Sequence, residues 1–170
     1  MATAEDDFNL IPDIKDAIEY IASHQIEIGI FGEDDSELLM IARVQEYGVE
    51  IQVTEKMRNY LHSIGMHLRK ETDSINIPER SFMRAGFDTR KEQLINTAEK
   101  LLNQAMLLEI EPEVALETIG VQMQTTIQEY LTNVNAPPNH PLTIREKGSS
   151  NPLVDEGRLR SAITYKIRSR

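Results

Sequence analysis

The chain has 170 residues, a hydrophobic fraction of 40%, a charged fraction of 27% and no cysteine. That is enough apolar mass for one core, and it excludes disulfides and thiolate metal sites. A formal net charge of −10 makes a poor general binder of phosphate backbones. No apolar run approaches the length that crosses a bilayer, and the acidic Met1–Asp7 segment lacks the features of a signal peptide.

In chain order, Asn9 to Gln25 predicts a first helix, with Ile11, Ile14, Ile18 and Ile21 on one stripe and Pro12 in its opening turn. "QIEIGIFG" follows, and the alternation of Ile26, Ile28 and Ile30 has the period of a half-buried strand. "EDDSELLMIARVQEYG" predicts a second helix, capped by Asp or Ser and closed by Gly48. Glu50 to Val53 reads as a short strand. Thr54 then caps a small helix with Met57, Tyr60, Leu61 and Ile64 on one face and Gly65 as its stop.

"SINI" before Pro78 is extended, because the residue preceding proline avoids helical angles. From Arg80 to Leu108 the pattern is that of one long helix, thinned or kinked at Gly86, and Glu111-Pro112 opens another along Leu116, Met123, Ile127 and Leu131. Residues 132–152 shift to Asn, Pro, Gly and Ser and read as a long functional loop. "VDEGRL" reads as a turn, and "SAITYKI" alternates as a closing strand. The expected architecture is α+β, a small antiparallel sheet packed against two long helices, with the first and last strands paired.

Charge is segregated along the chain. Residues 1–55 hold 14 acids and 2 Lys/Arg, residues 56–90 hold 4 and 7, residues 91–141 hold 7 and 2, and residues 142–170 hold 3 and 7. Such segregation can steer copies of one chain onto each other.

Catalytic chemistry has little support. His62 and His67, five apart, would lie about 140° apart around a continuous helix and could not chelate from one face, so no metal site is expected. Glu111/Glu113 and Asp34/Asp35 sit at helix starts, where carboxylates favour the positive end of the dipole. Met83, Met106 and Met123 read as core filling. No nucleophile elbow or phosphate loop is present, and no cofactor is expected.

Three blocks resemble the tail-completion or virion-morphogenesis family of long-tailed bacteriophages, a group also labelled neck or minor tail proteins. "ARVQEYGVEI" (Ala42 to Ile51) is similar to the family's helix ending in Glu-aromatic-Gly. "IPERSFMRAGFD" (Ile77 to Asp88) is similar to its Ile-Pro-x-Arg-x-Phe approach to the long helix. "NPLVDEGRLRSAITYKI" (Asn151 to Ile167) is similar to its closing turn and strand. Glu156 stands where the family usually carries threonine before the glycine, Gly157 here.

The resemblance implies a single virion domain over 1–170, with residues 52–75 as an insert and 132–152 as a long loop. It implies localisation to the tail or neck, after assembly from the host cytoplasm, and a ring of copies, commonly six, around the DNA channel. Tail tube or terminator and head–tail connector proteins would be its neighbours, and DNA would pass through without sequence-specific binding. No enzymatic activity is implied.

Physics reads the Ile75–Asp88 stretch as a joint, in which Phe82 and Phe87 each bury enough surface for roughly 1.5–3 kcal/mol. Arg80 and Arg84, four apart, would share a helix face and pair either with nearby acids such as Glu79 and Asp88 or with a neighbouring copy. Candidate interface residues are Arg80, Arg84, Asn139, His140, Lys147, Asn151 and Arg158. A competing reading is a nucleic-acid-binding or regulatory module using Arg158, Arg160, Lys166, Arg168 and Arg170. A third is a hydrolase with an acid pair that includes Glu111 or Asp155.

Overall fold

The structure, a computed structural model, describes residues 10–31, 36–134 and 157–170. Its helices are α1 (Ile11–Ser23), α2 (Ser36–Tyr47), α3 (Glu55–Ser63), α4 (Phe82–Thr89), α5 (Lys91–Met106), α6 (Pro112–Asn133) and α7 (Arg158–Ala162). The strands are β1 (His24–Gly29), β2 (Val49–Gln52), β3 (Ser74–Ile77) and β4 (Thr164–Ser169). The fold is α+β, and β1 pairs antiparallel with β4 as expected. Ile26 faces Ile167 and Ile28 faces Tyr165, so the two period-2 patterns meet in register. The β2–β3 ladder is a second, separate antiparallel pair.

The core gathers where α2, α4, α6 and α7 meet, around Phe82, Ile127, Leu131, Leu159 and Ile163, with Leu38 and Ala42 from α2. α6 is the spine. It packs against α4, α5 and the β1–β4 ladder, and a glycine stands at a close approach on each side. Gly86 of α4 lies against the Tyr130 side chain and the Ile127 backbone, and Gly120 of α6 lies under the ring of Tyr165. A side chain at either position would press on the neighbouring element.

Three expectations need correction. The long helix over Arg80–Leu108 is two helices, and the break falls at Arg90 (φ −122, ψ 17) rather than at Gly86. The corner lets α4 and α5 each lie along α6, and Arg90 is tied there by an ion pair from its Nη1 to Glu129 Oε2 at 2.8 Å. The isoleucine stripe of α1 is only half used. Ala17 is buried, Ile14 and Ile21 are half-buried, and Ile11 and Ile18 are 73% and 46% exposed. Thr132 and Asn133 belong to α6, so the loop read over 132–152 begins later. Val134 caps α6, and residues 135–152 lie outside the described residues.

The α5–α6 connection contains Leu108 at φ +60, a left-handed residue that is not glycine. Its N–H donates to Ala105 O at 3.1 Å, and that of Glu109 donates to Gln104 O at 2.9 Å. That is the bonding of a Schellman cap, normally closed by glycine.

Candidate functional site

The two sequence blocks "QEYG" and "IPERSFMR" form one joint. Gly48 ends α2 at φ +68. A Cβ there would sit 2.8 Å from the Glu79 nitrogen and 2.9 Å from the Ile77 oxygen, so the chain leaving β3 crosses directly over a position that only glycine fits. Pro78 fixes φ and donates no hydrogen bond, which turns the chain from β3 toward α4.

Arg80 lies in this crossing, before α4 begins. Its backbone N–H donates to Gln45 O at 2.7 Å, and its Nη1 donates to Gln45 Oε1 at 2.9 Å. The residue is buried, and that burial lowers its pKa from the usual arginine value. Arg80 and Arg84 therefore do not share a helix face. Arg80 is part of the interior.

Glu46 is the charged residue at the centre, 5% exposed. Its Oε2 accepts from the Met83 N–H at 2.9 Å, and its Oε1 accepts from the Arg84 N–H at 3.2 Å. These are two of the unsatisfied donors that open every helix, and Ser81, the residue at the N-cap position, makes no side-chain cap. A carboxylate from α2 thus caps α4, where the positive end of the dipole also favours it.

Arg84 completes the unit. Its Nε donates to Glu46 Oε1 at 2.9 Å, and its Nη2 donates both to the Glu46 carbonyl at 2.9 Å and to Glu79 Oε1 at 2.7 Å. Its guanidinium lies 4.8 Å from the centroid of the Tyr47 ring. The Glu46 hydrogen bond is the main cause of its raised pKa. Beside this unit an apolar recess of about 250 Å³ is walled by Leu39, Ala42, Tyr47, Phe82 and Met83. Glu46 and Arg84 on its wall are paired with each other, and Arg43 also lines it.

The third block closes on the same place. Gly157 at φ +75 starts α7, and Leu159 and Ile163 enter the core beside Phe82. Gln128 Nε2 of α6 donates to the carbonyls of Arg160 and Ile163, at 3.2 and 3.0 Å. Phe82 is 1% exposed, whereas Phe87 is half-buried.

Of the candidate interface residues, Arg80 and Arg84 are in the joint and Arg158 is exposed at the start of α7. Asn139, His140, Lys147 and Asn151 lie outside the described residues, as do Asp34, Asp35, Asp155 and Glu156. The basic C-terminal segment is partly engaged within the chain. Arg168 Nε meets Glu27 Oε2 at 3.1 Å, and Lys166 Nζ lies 4.5 Å from the centroid of the Phe31 ring.

Glu111 and Glu113 do sit at the start of α6, but they are not alone. With Glu117 and with Asp13 and Asp16 of α1 they line an open cleft of about 730 Å³ that also contains Tyr20. Burial first, then Glu113 and Glu117, raise the Tyr20 pKa above 10.0. Neither helix alone reveals this grouping in the sequence.

The histidine pair differs from the expectation, because α3 ends at Ser63: His62 and His67 are not on one continuous helix, and their rings meet edge to face with centroids 4.5 Å apart. The α3 cap is as read, with Thr54 Oγ1 accepting from the Met57 N–H at 3.2 Å. Its apolar face is not buried, however, and Tyr60 and Ile64 are 63% and 51% exposed.

Comparison with protein-family models, curated proteins and solved structures finds no match. Among the described residues no helix is long and apolar enough to cross a membrane.

Proposed function

We propose that this chain is a structural protein of a phage or prophage virion, completing the tail at its head-proximal end and helping to form the head–tail joint as a ring around the DNA channel. The observation that carries the reading is the convergence of the three blocks. Residues 45–48, 77–84 and 157–163 are far apart in sequence and occupy one continuous unit around Glu46 and Phe82. Residues 52–75, the insert of the resemblance, hold α3 and run between the paired strands β2 and β3, whose outer residues belong to the first two blocks.

This reading is one of docking. Tyr47, 64% exposed, stands on the wall of the apolar recess and offers a neighbouring chain an aromatic contact. Copies of the same chain, a tail tube or terminator protein and a head–tail connector are the proposed neighbours.

Disruption of the gene in the phage or prophage that encodes the chain tests the reading. Electron microscopy of the lysate should show filled heads and full-length tails left unjoined, and purified protein added to that lysate should restore joining. Particles that mature normally without the protein would overturn it.

A further inference from the structure

We propose that His62 and His67 form a two-imidazole surface site for a borderline divalent transition metal, with Zn²⁺ as the reference ion. The inference is independent of the virion reading, and either can fail alone.

The geometry begins with the end of α3. Gly65 takes φ +83, its N–H donates to His62 O at 3.1 Å, and the Met66 N–H donates to Leu61 O at 2.8 Å. This is a full Schellman cap. It reverses the chain so that His67 returns over the last turn of α3, and the imidazoles meet with centroids 4.5 Å apart and planes at 69°. Two cis imidazoles on one metal, with metal–nitrogen bonds of about 2.0–2.1 Å, place their ring centres roughly 4.5 Å apart at a right angle and roughly 5.2 Å apart at the tetrahedral angle. The observed pair, at 4.5 Å, is at the short end of that range, so a tetrahedral ion has to spread the rings by about 0.7 Å.

The segment after the turn is also fastened. Arg58 of α3 donates from Nη1 to Arg69 O and from Nη2 to Thr72 O, both at 2.8 Å. One ligand is therefore on a helix and the other on a backbone held at both ends, so little conformational freedom remains to be lost on binding. Both histidines are exposed, which gives an ion direct access.

The donor set chooses the class of ion. Neutral imidazole suits Zn²⁺, Cu²⁺ and Ni²⁺, whereas Mg²⁺ and Ca²⁺ prefer oxygen. Among the described residues no group of three or more His, Cys, Asp or Glu is placed to hold a metal. The described residues therefore offer two ligands here, and at least two positions of a tetrahedral shell are left for water or for a further donor. Such a site is exchangeable, with affinity expected in the micromolar range. The competing account is an edge-to-face ring contact with no further role.

Calorimetric titration of the full chain with ZnCl₂ in a non-chelating buffer separates the two. One saturable event per chain is expected, weakened at least about tenfold in His62→Ala and in His67→Ala, unchanged in His140→Ala and undisturbed by excess Mg²⁺. No saturable event, or one that survives either of the first two substitutions, overturns the proposal. Should a variant unfold, histidine NMR of the wild-type chain decides. Zn²⁺-dependent shifts confined to the His62 and His67 rings support the site, and equal shifts at His24 overturn it.

Discussion

The carboxylate of Glu46 accepts the backbone N–H of Met83 at 2.9 Å across 37 residues of sequence. A helix that lacks its own cap is thereby started from another helix. Glu46→Ala leaves two opening N–H groups of α4 without that acceptor and removes the partner of Arg84. A loss of about 2–3 kcal/mol is expected, read as a lower urea midpoint with unchanged slope. Glu50→Ala, at an exposed position of β2, should stay within about 0.5 kcal/mol of wild type.

Gly48 and Gly65 are both left-handed, but only one is crowded. Gly65→Ala meets open space and should cost about 1 kcal/mol, the conformational term alone. Gly48→Ala adds the collision with the backbone of Ile77 and Glu79 and should cost about 2–4 kcal/mol. Parallel denaturant unfolding of the two variants checks the order, and equal losses would remove the joint geometry from the argument.

Leu108 holds a left-handed conformation without being glycine. Leu108→Gly should relieve about 1 kcal/mol of left-handed strain and lose a similar amount of packing, because the side chain is only 37% exposed. A thermal midpoint close to that of the wild type is the expected readout.

The Tyr20 phenol titrates above 10.0 in the folded chain. Because the folded pKa exceeds the unfolded one, its contribution to stability is complete below the unfolded value and disappears as pH rises through the folded value. Ultraviolet titration should show one tyrosine ionising later than an ordinary phenol. Substituting Gln at both Glu113 and Glu117 should lower that value only in part, since burial is the larger cause.

Much of the fold is legible because its signals are local. Gly48, Gly65, Thr54 and Pro112 mark helix ends through their own backbone chemistry, and the alternation of Ile26–Ile28 and Tyr165–Ile167 selects strands whose inner faces match. The break at Arg90 has no such signal, because nothing at that residue forbids a helix. It arises from packing two helices on α6. Glu46 is likewise one acid among the 14 of residues 1–55, and its role appears only once Met83 and Arg84 are brought beside it. The histidine pair was hidden for a simpler reason. Angular arithmetic holds only along a continuous helix, and Gly65, a legible stop, ends α3 before His67.

The β1–β4 ladder joins residues 24–29 to residues 164–169, and the Arg170 N–H donates to Ser23 O at 2.8 Å. During synthesis β1 leaves the ribosome early and must wait, one edge unsatisfied, while most of the remaining polypeptide is translated. Helices α5 and α6 can form in that interval, since their contacts are close in sequence. The nascent chain is thus expected to carry an adhesive strand edge until β4 emerges, which makes it a natural client for a ribosome-associated chaperone.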